Sequence, residues 1–334
     1  MIGILGAGSW GTALAVHAAR RGQPVRLWAR QEGLAERMRS ERLNPYLPGV
    51  ELPPEIAPTA EMEDLVGCDL VLLVVPSHGF RGALRQLLAL WPRERPLALV
   101  SGAKGVETDT LARMSQVAFE EGMAADREVR FAVLSGPSFA AEVARGVPTA
   151  VVVAAEDGEL AREVRAALAC GTLRLYSSPD VVGVELGGAA KNVIAIAAGA
   201  AAGLGLGHNT LAALITRGLH EITRLGIAYG GQARTFAGLA GLGDLVLTCT
   251  GGLSRNRRTG EELAAGRTLA EIQEGTPFVA EGVRSALAIS RLAAARGVEM
   301  PITQQMAAVM YDGKDPRRAV EELMTREPKS EAEI

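Results

Sequence analysis

The sequence predicts an α/β protein: an N-terminal Rossmann-type domain with a doubly wound, mostly parallel sheet, followed by an all-helical C-terminal domain. Three observations carry this. Short apolar runs alternate with helical patterns through the first half, as strand–helix–strand units require. The first run, "IGIL" (Ile2–Leu5), leads straight into the glycine-spaced "GAGSWG". Strand signals stop after about Pro179, and the remainder is Ala/Leu/Gly-rich with helical periods. The domain boundary is therefore expected at 179/180.

Taken in order, Ile2–Leu5 is a strand and Ser9–Arg21 a helix closed by Gly22. "VRLW" (Val25–Trp28) is the second strand, with a helix over about Gln31–Arg39. A loop holds Pro45, Pro48, Pro53 and Pro54. "LVLLVVP" (Leu70–Pro76) is continuously apolar, as a strand covered on both faces should be, and Phe80–Leu90 is helical. "LALV" (Leu97–Val100), "FAVL" (Phe131–Leu134), "AVVVA" (Ala150–Ala154) and "LRLY" (Leu173–Tyr176) complete the strands. In the second half Ser285–Arg296 and Pro301–Tyr311 have helical periods, and the charged C-terminal dozen residues read as frayed.

Composition excludes several classes. With 48% hydrophobic and 22% charged residues and a formal net charge of −3, nothing points to nucleic acid or a membrane surface. Cys68, Cys170 and Cys249 are far apart, which argues against disulfides and a zinc site, and the histidines have no ligand spacing, so no metal is expected. The opening "MIGILGAGSWG" is already a strand and turn with no basic leader. Val193–Gly207 runs 15 residues without a charged or amide side chain, shorter than the roughly 20 needed to span a bilayer, and reads as a core helix. The expected location is the cytoplasm. Only four of the 35 basic residues are lysines: Lys104, Lys191, Lys314 and Lys329. Lysine can release its proton near neutral pH and arginine cannot. Lys314 and Lys329 lie in a polar tail and read as solvated, whereas Lys104 and Lys191 sit among Gly and Ala.

"GAGSWG" places Gly6, Gly8 and Gly11 in G-x-G-x-x-G spacing, after a strand and opening a helix. Gly6 permits the tight turn, Gly8 the approach of a pyrophosphate, and Gly11 the packing of helix on strand. The anion rests on N–H groups at the helix N-terminus. An acidic residue about 20 positions further on would take an NAD ribose. Here Arg30 follows the second strand, which suits a 2′-phosphate, so NADPH is the preferred coenzyme. A contact through Glu32 would leave NADH usable.

Four further stretches hold polar groups in small, apolar surroundings: "SGAKGVE" (Ser101–Glu107), "LSGPSFAAEV" (Leu134–Val143), "GGAAKN" (Gly187–Asn192) and "GLGDLVLTCTGGLSRNRRTG" (Gly241–Gly260). The first two follow strands, where open α/β sheets bind ligands. The last two fall in the helical domain, which is expected to close over that crevice. Together with "GAGSWGTALA" and "VAEGVRSA", these motifs resemble bacterial NAD(P)-dependent glycerol-3-phosphate dehydrogenase from Gly3 to about Tyr311. One departure is Ala103, where the family commonly has Thr; it removes a hydroxyl beside Lys104.

The resemblance implies a helical domain of the 6-phosphogluconate dehydrogenase C-terminal kind. It also implies reversible reduction of dihydroxyacetone phosphate to sn-glycerol 3-phosphate, for glycerophospholipid synthesis. Residues 1–179 would then bind the dinucleotide and 180–334 the substrate. Ser9, Trp10, Arg30, Lys104, Ala140, Arg255, Val279 and Glu281 would contact the coenzyme. Lys104, Gly136, Ser138, Lys191, Asp244, Ser254, Arg255 and Asn256 would hold a small phosphorylated triose, with Lys191 as general acid/base.

These roles make chemical sense. Ketone reduction needs a hydride from the coenzyme and a proton from a group of suitable pKa, and burial lowers a lysine toward that range. Lys104 adds a second positive charge, and Asp244 serves as counter-ion or hydroxyl-orienting group. Asp244 also reads as a helix N-cap after "GLG". Ser254, Arg255 and Asn256 suit a phosphate dianion. The related β-hydroxyacid and 6-phosphogluconate-type dehydrogenases space the helix Lys and Asn four apart. Here Lys191 and Asn192 are adjacent, about 100° apart on a helix. Asn192 is therefore expected to orient a neighbouring loop. A silent dinucleotide-sensing module would need neither lysine nor the Ser-Arg-Asn run. The Gly/Ala content of the helical domain allows close helix packing and with it a homodimer.

Overall fold

The computed structural model describes residues 1–274, 280–327 and 330. The chain forms two compact units. Met1–Lys104 with Ala112–Val181 make the first, and Gly105–Leu111 with the chain from Val182 onward make the second.

The first unit is an eight-stranded sheet flanked by helices. Its strands are β1 (Ile2–Leu5), β2 (Val25–Trp28), β3 (Ile56–Thr59), β4 (Leu70–Leu73), β5 (Leu97–Ser101), β6 (Val129–Ser135), β7 (Thr149–Ala154) and β8 (Leu173–Ser178). Its helices are α1 (Ser9–Ala19), α2 (Glu32–Glu41), α3 (Ser77–Leu90), α4 (Met114–Ala125), α5 (Ala140–Arg145) and α6 (Gly158–Leu168). The spatial order is β3-β2-β1-β4-β5-β6-β7-β8. Every pair is parallel except β6–β7, in which Leu134 faces Val153 across an antiparallel ladder. The doubly wound, mostly parallel sheet is thus observed, and strand order reverses between β1 and β4, where such folds bind ligands. The central strands β1, β4 and β5 are buried along their whole length, which is why they read as unbroken apolar runs.

Two expectations are corrected here. The loop that holds Pro45, Pro48, Pro53 and Pro54 is followed by an edge strand not expected from sequence, β3, with Pro58 inside it; an edge position tolerates proline because one side of the strand makes no ladder. The apolar run Leu70–Pro76 leaves the sheet at Leu73, because Val74 turns its carbonyl beneath Gly6 and Pro76 caps α3.

The second unit is helical among the described residues: α7 (Val181–Gly203), α8 (Gly207–Ala228), α9 (Ala233–Phe236), a π-turn (Leu239–Gly243), α10 (Asp244–Thr250), α11 (Arg255–Ala264), α12 (Leu269–Glu274), α13 (Glu281–Ala295), α14 (Pro301–Tyr311) and α15 (Pro316–Met324). By length and composition α7 could cross a membrane, but 94% of its most apolar window is buried within the protein. It is the central helix of the second core, packed with Leu225, Phe236, Leu245, Val283 and Ile289. Small residues set the spacing. A Cβ on Gly199 would lie 1.8 Å from the Arg257 carbonyl oxygen, and one on Gly260 would lie 1.9 Å from that of Ile196. Gly199 and Gly260 are used for these crossings within the chain. Lys314 is not simply solvated, as it pairs with Glu322 at 2.5 Å and Gln305 at 2.7 Å, and Lys329 lies outside the described residues.

One buried carboxylate lies apart from the predicted chemistry. Glu221 on α8 is 2% exposed and accepts from the backbone N–H groups of Ile302 (2.6 Å) and Thr303 (3.2 Å), capping α14 from a neighbouring helix. Burial pushes its carboxyl up to about 7, against the pull of those donors, the Thr303 hydroxyl and Arg224. A folded-state value above the ordinary 4.5 means that the native protein holds the proton more tightly than the unfolded chain. The stability contribution is therefore full below about pH 4.5 and falls by about 3 kcal/mol as pH rises to about 7. Glu221→Gln is expected to remove this slope, read as the difference between parent and variant in urea-unfolding free energy at pH 5 and pH 8. Parallel pH curves for the two proteins would refute the assignment.

Candidate active site

In the first unit the glycine turn closes β1 onto α1. Gly6 has φ +126°, and a Cβ there would lie 2.5 Å from the Val74 carbonyl oxygen. A Cβ on Gly11 would lie 1.9 Å from the Gly6 carbonyl oxygen, so both positions require glycine. Nothing lies within 4 Å of a Cβ built at Gly8, which leaves open approach where a pyrophosphate would rest. Gly8 caps α1 without a side chain, so Ser9, Trp10 and Gly11 present first-turn N–H groups. Asn44 braces the turn, its amide donating to the Ala7 carbonyl (3.0 Å) and the Thr12 hydroxyl (2.7 Å). The Trp10 indole N–H is buried with no protein acceptor among the described residues. The open cradle, the helix N-terminus and this orphaned donor fit a dinucleotide.

Arg30 follows β2 and is exposed. The competing Glu32 is drawn onto Arg39, which also holds Glu36 at 2.8 Å. Lys104 donates through Nζ to the Gly136 carbonyl oxygen at 3.0 Å, and the Ser138 hydroxyl donates to the same oxygen at 2.9 Å. Gly136 itself has φ +133°, with Val151 Cα only 3.0 Å from where a Cβ would stand. Three predicted positions thus converge on one carbonyl. Ala140 opens α5 and packs on the apolar core. Beside Lys104, the Ala103 N–H donates to Ser101 Oγ at 3.3 Å, so a nearby serine hydroxyl occupies the neighbourhood of the missing threonine.

In the second unit Lys191 and Asp244 form a direct ion pair at 5% and 1% side-chain exposure. Lys191 Nζ also donates to Thr248 Oγ1 at 2.9 Å, and that hydroxyl donates to the Asp244 carbonyl at 2.6 Å. Thr248 was not expected from sequence; its signal was the i,i+4 spacing from Asp244, which puts both on one helix face. Asp244 is not an N-cap. The π-turn runs directly into α10, Gly243 precedes it in αR geometry, and the Asp244 side chain turns to Lys191 instead. Such π-turns favour functional positions. Beside this pair, burial raises the Cys249 thiol to about 12, which marks it as an inert core residue.

Ser254 caps α11, accepting from the Arg257 N–H at 3.2 Å. Burial lowers the Arg255 guanidinium while the Glu281 carboxylate raises it, and Arg255 remains charged. Asn256 is buried, and its amide is engaged on both sides: Nδ2 donates to Asn192 Oδ1 at 2.9 Å, and Oδ1 accepts from the Gly282 N–H at 3.0 Å. Asn192 therefore orients the first turn of helix α11 rather than a loop. This relay joins α7, α11 and the start of α13, and a Cβ on Gly282 would break it, lying 2.6 Å from the Asn192 carbonyl oxygen. Glu281 opens α13, and Val279 lies outside the described residues. Among the described residues no group of His, Cys, Asp and Glu could hold a metal ion.

A glycine turn at the sheet's reversal point and a buried Lys–Asp pair in a helical unit define a two-domain nicotinamide-dinucleotide dehydrogenase. Residues 1–161 match the N-terminal model, and 180–321 the C-terminal model, of NAD-dependent glycerol-3-phosphate dehydrogenase. The chain belongs to this family. It is 52% identical over 335 residues to the glycerol-3-phosphate dehydrogenase [NAD(P)+] of Geobacter sulfurreducens, covering 99% of this chain and 98% of that one. The Moorella thermoacetica protein of the same name is 50% identical, with 99% and 98% covered. The crystal structure of glycerol-3-phosphate dehydrogenase from Coxiella burnetii superposes with a TM-score of 0.92 at 40% identity, covering 97% of this chain and 98% of that one.

Proposed function

We propose that the chain catalyses the reversible NADPH-linked reduction of dihydroxyacetone phosphate to sn-glycerol 3-phosphate, with Lys191 as proton donor. The observation that carries this reading is the buried Lys191 clasped by Asp244 and Thr248. The names of the relatives support the substrate. Residues 1–179 carry the dinucleotide turn and 180–334 the proton donor and phosphate-binding helix end, and each part lends residues to both ligands. When bound, the reduced nicotinamide supplies a hydride to the carbonyl carbon. Asp244 gives the buried Lys191 ammonium its counter-charge, and Thr248 fixes the direction of Nζ. Lys191 stabilises the developing alkoxide by its charge and then passes it a proton, leaving a neutral amine. In the oxidative direction that amine takes the proton back. The capped N-terminus of α11 and the Arg255 fork receive the phosphate, and the Asn192–Asn256 relay holds that helix end in place. Lys104, Gly136 and Ser138 complete the substrate contacts. Ser9, Trp10, Arg30, Ala140, Val279 and Glu281 complete those of the coenzyme. The reading places the enzyme in the cytoplasm, where three free thiols stay reduced, and has its product feed glycerophospholipid synthesis.

Arg30 favours the 2′-phosphate, since Glu32 is engaged by Arg39. Adding dihydroxyacetone phosphate to protein and NADPH is expected to consume the coenzyme. NADH should be used less well, and Arg30→Asp should move the preference toward NADH by about tenfold or more. A preference for NADH in the parent would overturn the coenzyme choice. No consumption of either coenzyme would overturn the substrate.

A further inference from the structure

The far end of α1 carries a second cluster of positive charge. The helix has 11 residues, so its last turn lies roughly 16 Å from the glycine turn. There Arg21 joins Arg162 and Arg165 of α6 around an open hollow of 430 Å³ floored by Ala166 and Ala169. Arg21 is pinned, its Nη1 donating to the carbonyls of Ala166 (3.1 Å) and Ala167 (2.8 Å). Its Nε and Nη2 have no protein acceptor among the described residues.

Elsewhere many of the surface arginines are neutralised: Arg130 holds Asp157 and Glu163, and Arg81 and Arg85 share Glu121. Around the hollow, among the described residues, none of the three guanidiniums has a carboxylate partner. Glu163, the acid next to Arg162 in sequence, is taken by Arg130. The uncompensated field reaches inward: burial, and then Arg21 and Arg20, hold the His17 imidazole below its usual range.

We propose that this hollow is a second anion site, separate from the dinucleotide turn, for a small soluble ligand carrying two or more phosphate groups. A guanidinium binds phosphate oxygens as a two-pronged fork, and three guanidinium charges exceed the two that one phosphate dianion neutralises. The hollow is open to solvent, so a ligand there is held by charge and forked hydrogen bonds rather than by enclosure. A planar anionic membrane would also meet the exposed Glu159 and Glu163 of α6, which disfavours it as the occupant.

The test is titration calorimetry of the full chain with inorganic tripolyphosphate at fixed ionic strength, with NADPH saturating so that the dinucleotide turn is filled. With sn-glycerol 3-phosphate also saturating, so that the phosphate site at the start of α11 is filled, one binding event is expected, weakened about tenfold or more in Arg162→Gln/Arg165→Gln, with coenzyme affinity and turnover unchanged. Arg162→Lys/Arg165→Lys, which keeps the charge but loses the forks, should fall between the two and controls for folding. Three results overturn the proposal: no binding by the parent, undiminished binding by the Gln variant, or an equal loss in the exposed pair Arg317→Gln/Arg318→Gln. Tighter, variant-sensitive binding to vesicles of anionic phospholipid would replace the soluble ligand with a membrane and overturn it too.

Discussion

Lys191→Met is expected to lower kcat by about 10²–10⁴-fold, the usual contribution of a positioned general acid, while coenzyme affinity stays within about twofold. Met matches the unbranched stem of lysine and suits a buried position in α7, where Val193, Ile194 and Ala195 are fully enclosed. What disappears is the ammonium, and with it both the charge facing the developing alkoxide and the proton that quenches it. Lys191 is not among the residues assigned to the coenzyme, and the glycine turn that receives the dinucleotide is untouched by the substitution. Steady-state kinetics and coenzyme titration separate the two effects. A raised KM with unchanged kcat would make Lys191 a binding residue only.

Asp244→Ala is the second large effect, and it falls on stability. The pair is almost wholly enclosed, so the substitution leaves a buried ammonium without its carboxylate. Breaking a buried pair in this way costs about 3–5 kcal/mol, a large share of the roughly 5–15 kcal/mol that holds a domain together. Replacing both partners should cost far less than the single change, because Lys191→Met/Asp244→Leu leaves no charge behind. That double variant is expected to recover most of the stability in urea unfolding and none of the turnover. A loss below about 1 kcal/mol in Asp244→Ala would mean that Lys191 reaches water or another partner, contrary to the buried pair described.

The parts of the fold legible in the sequence were those written in period and spacing. Each strand recognised is present: β1, β4 and β5 because a strand buried on both faces must be continuously apolar, and β8 because Leu173 and Leu175 alternate with exposed Arg174 and Tyr176. β3 was hidden by Pro53, Pro54 and Pro58, whose cost vanishes at a sheet edge. The antiparallel β6–β7 pairing was hidden because apolar runs do not encode strand direction. At the site, Lys191 stood out as an anomaly in an apolar helix, and the family resemblance supplied Asp244 as counter-ion or hydroxyl-orienting group. Asp244 nonetheless also read as a cap, since a π-turn looks in sequence like any Gly-rich helix start. Thr248 and the Asn192–Asn256–Gly282 relay depend on which helices cross, and those crossings are set by Gly199 and Gly260, whose partners lie roughly 60 residues away in the chain. Pairwise contacts of that separation leave no local pattern.

The most direct test of the proton-donor role is a single turnover. Enzyme in excess over a limiting amount of NADPH is mixed with saturating dihydroxyacetone phosphate, and the loss of the bound reduced coenzyme is followed for the parent and for Lys191→Met. The parent is expected to complete one hydride transfer per bound coenzyme, yielding sn-glycerol 3-phosphate, and the variant to do so about a hundredfold or more slowly. Equal rates in the two proteins would contradict the account, because a buried lysine that can be deleted without slowing the chemistry is not its proton donor.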